Sequence, residues 1–428
     1  MDIYVVKPGD SLWTISRRYG VTTQAIIDIN QLQNFPHLVV GQALVIPTQE
    51  SAYRVVPGDS LWSISRKFNV SVASIAALNG ITNPSVIHPG MIIRIPQQSK
   101  NFGYIEANGY LEPTTPEKDT QRVDEVGNYL TYLSLFSYQV NADGTLKALN
   151  DDAALAAARN HRNAPLMVIT NFEGGTFSTD LGHTILSSDS IQQNLIANVL
   201  STMKSKGFYG LNIDFERIPP SDRELYNNFL RKVVTALHAQ NYVVCTALAP
   251  KTSGQQTGAW YGAHDYPAHG QIVDFVIIMT YEWGWSGGPP MPVAPIDQVR
   301  AVLNYAVSVI PAKKIMMGMP LYGYDWTLPY MPHGSFAPRV SPQDAIGIAI
   351  KYNAEISYDM KSQSPSINYY DEKGTAHIIW FEDARSVRAK FLLASRLGLR
   401  GVSYWELGSP FPQNWAILND MFNIEKVV

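Results

Sequence analysis

From about residue 102 onward, eight apolar runs alternate with amphipathic helical stretches, and this alternation restricts the fold more than any other feature of the chain. The runs are "FGYIEANGYL", "YLTYLSLFSY", "APLMVITNF", "YGLNIDFE", "YVVCTALAP", "VDFVIIMTY", "KIMMGMPLYG" and "LRGVSYWELG", with helix-like segments over 189–206, 222–240, 296–310 and 383–397 among those between them. A helix between successive strands returns the chain to the same end of the sheet, so the strands run parallel. Eight such units in about 330 residues read as an α/β fold, a (β/α)8 barrel, whose usual length of about 250 residues leaves a surplus. The surplus falls at about 327–381, Pro-rich first and then strand-like in "SINYYDEKGTAHIIWFED". It reads as a small α+β insertion on the catalytic face. A chain of 428 residues, 46% of them hydrophobic, has the material for one large core and smaller modules besides.

Those modules are visible as a repeat. "YVVKPGDSLWTISRRYGV" (Tyr4 to Val21) returns as "YRVVPGDSLWSISRKFNV" (Tyr53 to Val70) at an offset of 49 residues, which persists through Asn30/Asn79, Gly41/Gly90 and Pro47/Pro96. Two copies of one supersecondary unit follow. Each opens with a strand and "PGDS", where Asp10 with Ser11, or Asp59 with Ser60, is placed to cap a helix carrying Leu12, Trp13 and Ile15 or their equivalents. A second helix (Ile26 and Ile29; Ile75 and Leu78) and a closing strand ending "IP" complete a small βααβ unit. On "V.PGDSLW.IS" and the final "IP" the unit resembles the LysM domain, giving modules at 1–48 and 49–98 and a barrel domain at 99–428. LysM domains bind N-acetylglucosamine-containing glycans. The resemblance implies peptidoglycan or chitin as partner and glycan-binding turns at Gly9, Asp10, Ser11 and Gly58, Asp59, Ser60. The plain alternative is that Trp13 and Trp62 are core and the repeats only a spacer.

Charge and composition exclude other classes. A net charge of −3 offers no basic excess for a phosphate backbone, so no nucleic-acid partner is expected. No stretch approaches the ~20 apolar residues of a membrane span. The beginning "MDIYVVKPGD" has neither a basic n-region nor an apolar h-region, and the expectation is that conventional secretion is not encoded. The single cysteine, Cys245, sits among apolar residues and reads as a buried small hydrophobe. No His/Asp set has ligand spacing, so neither metal nor cofactor is expected.

The fourth run, "GLNIDFERI", carries the chemistry. Side chains alternate along a strand, so Leu211, Ile213 and Phe215 share one face and Asn212, Asp214 and Glu216 the other. In a barrel the apolar face packs on the helices and the polar face points inward, rising to the carboxyl end where active sites of this fold lie. Two carboxylates there point to general acid/base work, with Glu216 as the acid. The charge of Asp214 and partial desolvation would raise its pKa.

These positions resemble the "DGxDxDxE" signature of glycoside hydrolase family 18. "MTYE" (Met279 to Glu282) resembles that family's "MxYD", "MGMPLYG" its seventh strand and "GVSYWELG" its eighth, over about Phe102 to Ile424. The family implies a retaining mechanism in which the substrate's 2-acetamido oxygen is the nucleophile. On that resemblance Glu216 protonates the glycosidic oxygen and later activates water, Asp214 orients the acetamido group, Tyr281 hydrogen-bonds its oxygen and Trp405 floors the sugar site. Asn212, Met279, Glu282 and Tyr322 would contact substrate. Tyr209 and Asn212 stand where the family has its first two Asp residues, and Glu282 where it has Asp. Asp214 therefore lacks a carboxylate with which to share a proton.

The mechanism needs a free N-acetyl group on the sugar whose bond is cut, which favours cleavage after N-acetylglucosamine over cleavage after a muramic lactam. The architecture resembles that of the spore cortex-lytic N-acetylglucosaminidases, which are built in the mother cell and deposited in the spore. Two alternatives remain at this point: a LysM-bearing chitinase, and a chitinase-like coat protein that binds glycan without cutting it. Inert relatives commonly lack the acid, and Glu216 is present.

Overall fold

The computed structural model describes residues 1–48, 50–68, 70–83, 87–96 and 100–428. The expected module limits at Gln49 and around 97–99, with half of the "PQQSKN" linker, lie outside the described residues.

In the first repeat β1 (Asp2–Val5) pairs antiparallel with β2 (Ala43–Ile46) around α1 (Leu12–Tyr19) and α2 (Thr23–Asn30). In the second, β3 (Glu50–Arg54) pairs with β4 (Ile92–Pro96) around α3 (Leu61–Phe68) and α4 (Val72–Leu78). Capping differs from expectation in one respect. Ser11 has the extended backbone of an N-cap and accepts from Thr14 N–H at 3.1 Å, and Ser60 accepts from Ser63 N–H at 3.0 Å. Asp10 and Asp59 sit one residue too early to cap, and instead accept from the hydroxyls of Tyr4 at 2.6 Å and Tyr53 at 2.7 Å. Trp13 and Trp62 are not core: they are 65% and 66% exposed, because Ile15 and Ile64 occupy the buried faces of their helices.

The first repeat is docked on the rest of the molecule. Its Val39 belongs to the apolar cluster of the insertion, and its Ala43 and Val45 to that of the barrel. Ile356 N–H donates to Val40 C=O at 2.9 Å, and a Cβ on Gly41 would lie 1.9 Å from Ile356 O, so only glycine permits this approach. The second repeat closes on a core of its own, built on Val55, Leu61, Ile64, Ile75 and Ile93.

All eight expected barrel strands form. They are β5 (Tyr104–Leu111), β6 (Tyr132–Gln139), β7 (Ala164–Thr170), β10 (Gly210–Asp214), β11 (Val243–Leu248), β12 (Phe275–Ile278), β13 (Ile315–Pro320) and β19 (Gly401–Trp405), and a small hairpin, β8 (Phe172–Glu173) and β9 (Thr176–Phe177), follows β7. Each strand pairs in parallel with the next, and β19 returns to β5 with Gly401 opposite Glu106, which closes the sheet. Outside it lie α5 (Pro116–Val126), α6 (Asp152–Asn160), α7 (Thr179–Ser187), α8 (Asp189–Lys206), α9 (Arg223–His238), α10 (Tyr266–Ile272) and α11 (Ile296–Val309). Between β13 and α13 (Ala384–Leu397) the chain forms a five-stranded sheet, β14 (Gly323–Leu328), β15 (Arg339–Val340), β16 (Ile356–Asp359), β17 (Ser364–Tyr370) and β18 (Ala376–Trp380), with α12 (Pro342–Lys351) beside it. Because β13 ends at the carboxyl side of the barrel, this insertion stands beside the mouth. After β19 the chain ends with α14 (Pro412–Met421) and β20 (Asn423–Ile424).

The barrel has two apolar layers, as strand alternation requires. Tyr110, Tyr132, Leu166, Cys245, Phe275 and Met316 fill its interior, with Tyr132 stacked on Phe275. Leu211, Ile213 and Phe215 pack outward on Tyr226 and Phe229 of α9.

Candidate active site

With Leu211, Ile213 and Phe215 committed to the helix layer, Asn212, Asp214 and Glu216 turn into the barrel at the carboxyl end of β10. Asn212 is fully buried and donates from Nδ2 to the Tyr110 hydroxyl at 2.6 Å. Its Oδ1 and the Oδ1 of Asp214 are both buried without a hydrogen-bond partner, so the carboxamide is tied to Tyr110 and does not serve Asp214. Burial, with no compensating donor, pushes the Asp214 carboxyl up to about 7. Glu216 is raised well above the ordinary range, first by burial and then by the Asp214 charge. The two acids thus share one poorly solvated site and titrate as a pair.

Tyr281 follows β12, and its phenol is held well above its usual range by burial and by the nearby Asp214, Glu216 and Glu282 carboxyls. It remains a neutral donor at any ordinary pH. Its ring fits only because residue 318 is glycine: a Cβ there would lie 2.8 Å from Tyr281 Cε1. Met279, half-buried, hands its N–H to Leu248 C=O at 2.9 Å and marks the end of β12. Glu282 accepts from Tyr322, and from Tyr324 at 2.9 Å. Tyr322 is itself buried, with Arg339 of β15 lying 4.0 Å over its ring. Trp405, half-exposed at the end of β19, is held edge-to-face by Phe136 at 4.9 Å and Tyr110 at 5.3 Å. Arg339 Nη1 lies 3.4 Å from Glu406 Oε1, so the insertion is tied to the strand that carries Trp405. Asn212, Asp214, Glu216, Met279, Tyr281, Glu282, Tyr322 and Trp405 therefore converge on one barrel mouth. Gly9–Ser11 and Gly58–Ser60 lie in the two repeats.

The chain matches a known family. The model of glycosyl hydrolases family 18 covers residues 101–409, and the LysM domain model covers 4–47 and 53–96. The chain belongs to glycosyl hydrolase family 18. Among relatives, the cortical fragment-lytic enzyme of Bacillus subtilis (strain 168) is 52% identical over 100% of this chain and 99% of its own length. Its counterpart of the same name in Bacillus anthracis is 48% identical over 100% of this chain and 99% of its own. The crystal structure of the Bacillus megaterium QM B1551 spore cortex-lytic enzyme SleL superposes with a TM-score of 0.91 at 44% identity, covering 100% of this chain and 99% of that one. LysM and family 18 domains bind N-acetylglucosamine-containing glycans. Among the described residues no helix is long and apolar enough to cross a membrane, and no group of three or more His, Cys, Asp or Glu is placed to hold a metal ion.

Within this family 18 barrel, several residues that shape the site escape a reading by motif. Asn171, just past β7, accepts the Glu216 N–H at 3.0 Å and donates to the Glu216 C=O at 2.8 Å and the Ser178 C=O at 3.0 Å. It extends the sheet by one side chain where β10 has stopped pairing. His264 accepts from Ala249 N–H at 2.8 Å through Nδ1, which leaves Nε2–H to donate to Phe215 C=O at 3.0 Å. Burial lowers this imidazole to about 4, so it stays neutral and in that tautomer. The peptide units on both sides of Glu216 are thus fixed by side chains from neighbouring strand ends. The only sequence signal for Asn171 was a polar residue closing the otherwise apolar "LMVITN". Tyr110, Tyr324 and Arg339 had none.

Proposed function

We propose that this protein is an N-acetylglucosaminidase of spore-cortex peptidoglycan that cleaves after N-acetylglucosamine with retention, helped by the substrate's own acetamido group. Glu216 gives its proton to the glycosidic oxygen as the acetamido carbonyl oxygen attacks the anomeric carbon and the leaving sugar departs. Asp214 faces the acetamido nitrogen and stabilises the positive charge that develops there in the oxazolinium ring, and the Tyr281 hydroxyl donates to the acetamido oxygen. Trp405 supplies the apolar floor. Water deprotonated by Glu216 then opens the ring at the same face. Asn212, Met279, Glu282 and Tyr322 shape the pocket around the sugar.

The observation that carries this reading is the buried Asp214 beside a Glu216 whose carboxyl is raised enough to hold a proton. No protein residue is needed as nucleophile when the substrate brings its own. The full-length likeness to enzymes named for cortical fragments supports the cortex as substrate and the spore as location; synthesis in the mother cell is part of the same proposal. The two repeats would hold the enzyme on glycan through their "GDS" turns and exposed tryptophans. Glu216→Gln should reduce turnover of cortex fragments by at least about 10²–10⁴-fold while leaving binding intact. Products carrying reducing-end N-acetylglucosamine by mass spectrometry identify the bond. Unchanged turnover in the variant would overturn the mechanism, and release of oligosaccharides from chitin with cortex fragments left whole would favour a chitinase.

A further inference from the structure

Arg217 follows the acid directly, and its surroundings are unlike those of any other cation in the barrel. Its φ is +55°, a left-handed conformation uncommon for a long side chain, and its carbonyl accepts from Thr179 Oγ1 at 2.9 Å. The turn carries its guanidinium to 4.3 Å over the ring of Trp260, which is 44% exposed in the loop between β11 and α10. Its Nε is buried and has no hydrogen-bond partner, and none of the described residues forms an ion pair with it. The residue as a whole is only partly buried, so the side chain is not sealed away from a ligand although its Nε is. Arg223 and Lys251, spoken for by the carbonyls of Gly262 at 3.0 Å and His264 at 3.2 Å, add positive charge to the same wall. The side of the mouth next to the insertion carries Glu282 and Glu406.

The strand order gives this cation its place along the substrate. Around the closed sheet β10 is the fourth neighbour of β19 in either direction, so Glu216 and Trp405 face each other across the mouth. A sugar lying on Trp405 with its scissile oxygen at Glu216 would, past that oxygen, meet the turn that follows β10. Arg217 lies in that turn, laid on Trp260.

We propose that Arg217, braced on Trp260, is a specificity-determining residue that grips a carboxylate carried by the sugar unit on the leaving side of the cut. The planar fork of a guanidinium matches a carboxylate with two parallel hydrogen bonds, and the indole face limits its motion. Chitin has no carboxylate to offer, whereas muramyl units bear them on their lactyl-linked peptides. The assignment therefore rests on peptidoglycan as substrate and explains how the barrel would tell it from chitin.

The test uses the full chain and cortex fragments in two forms, one with free carboxylates and one with those groups converted to methylamides. Wild-type kcat/KM should fall about tenfold or more on amidation, mainly through KM. Arg217→Gln should show the lower value on both forms, and Arg217→Lys, which keeps charge without the fork, an intermediate one. Indifference of the wild type to amidation, or an equal loss in Arg217→Gln on both forms relative to wild type, would overturn the assignment of Arg217 alone. Failure of the wild type to cut either form would overturn the cortex reading and this assignment with it.

Discussion

An acid buried beside another acid must destabilise the fold that holds it, and Asp214 allows the size of that effect to be worked out. Only 4% of Asp214 is exposed, one of its oxygens has no partner, and its carboxyl is pushed up to about 7 from an ordinary value of 3.8. Below about pH 4 the group is protonated in folded and unfolded chains alike, and no penalty exists. Between about 4 and 7 the unfolded chain ionises and the folded one does not, so the folded state binds the extra proton and stability falls as pH rises. At about 1.36 kcal/mol per pH unit that interval is worth about 4 kcal/mol, constant above pH 7. Asp214→Asn removes the titration while keeping the shape. Denaturant melts of both proteins at pH 4 and pH 8 should therefore diverge: the variant gains on the wild type by up to about 4 kcal/mol at the higher pH while losing activity. Because Glu216 titrates with Asp214, the comparison is best repeated in a Glu216→Gln background. Parallel stability profiles for variant and wild type would refute the burial argument.

Other consequences follow from contacts outside the acid pair. Asn171→Ala removes three hydrogen bonds from a buried site, a loss of about 2–4 kcal/mol, and frees the Glu216 backbone; kcat should fall about 10²-fold with KM little changed. Loss of stability without any loss of kcat would mean that Asn171 only braces the fold. Replacing Trp13 and Trp62 together by Ala should weaken retention on insoluble peptidoglycan in pull-down assays, yet shift stability by no more than about 0.5 kcal/mol, since both rings are exposed. A large drop in melting temperature would contradict that surface role.

The barrel was legible in the sequence because each of its strands is a local statement. A run such as "APLMVITNF" is buried wherever it lies, and a helix after it dictates a parallel neighbour. The inward triad of β10 was legible for the same reason, since period-two alternation needs no partner to be read. The repeat told of two modules but not of their unequal placement, because docking of the first depends on Val39, Ala43 and Gly41 meeting surfaces more than 300 residues away in the chain. Tertiary structure likewise decided the exposure of Trp13 and Trp62, which a helix of eight residues with apolar positions on more than one face leaves open.

The sequence by itself determined which residues could do chemistry: the order Asn212, Asp214, Glu216 on one face of a strand, with Tyr281 and Trp405 at the ends of later ones. What only the fold decided was their electrical state and their supports. Asn212 is turned to Tyr110, Asn171 and His264 grip the peptides around Glu216, and Arg217 is laid on Trp260. Burial and hydrogen-bond partners belong to strand ends that meet only when the sheet closes. No local pattern in the chain encodes them.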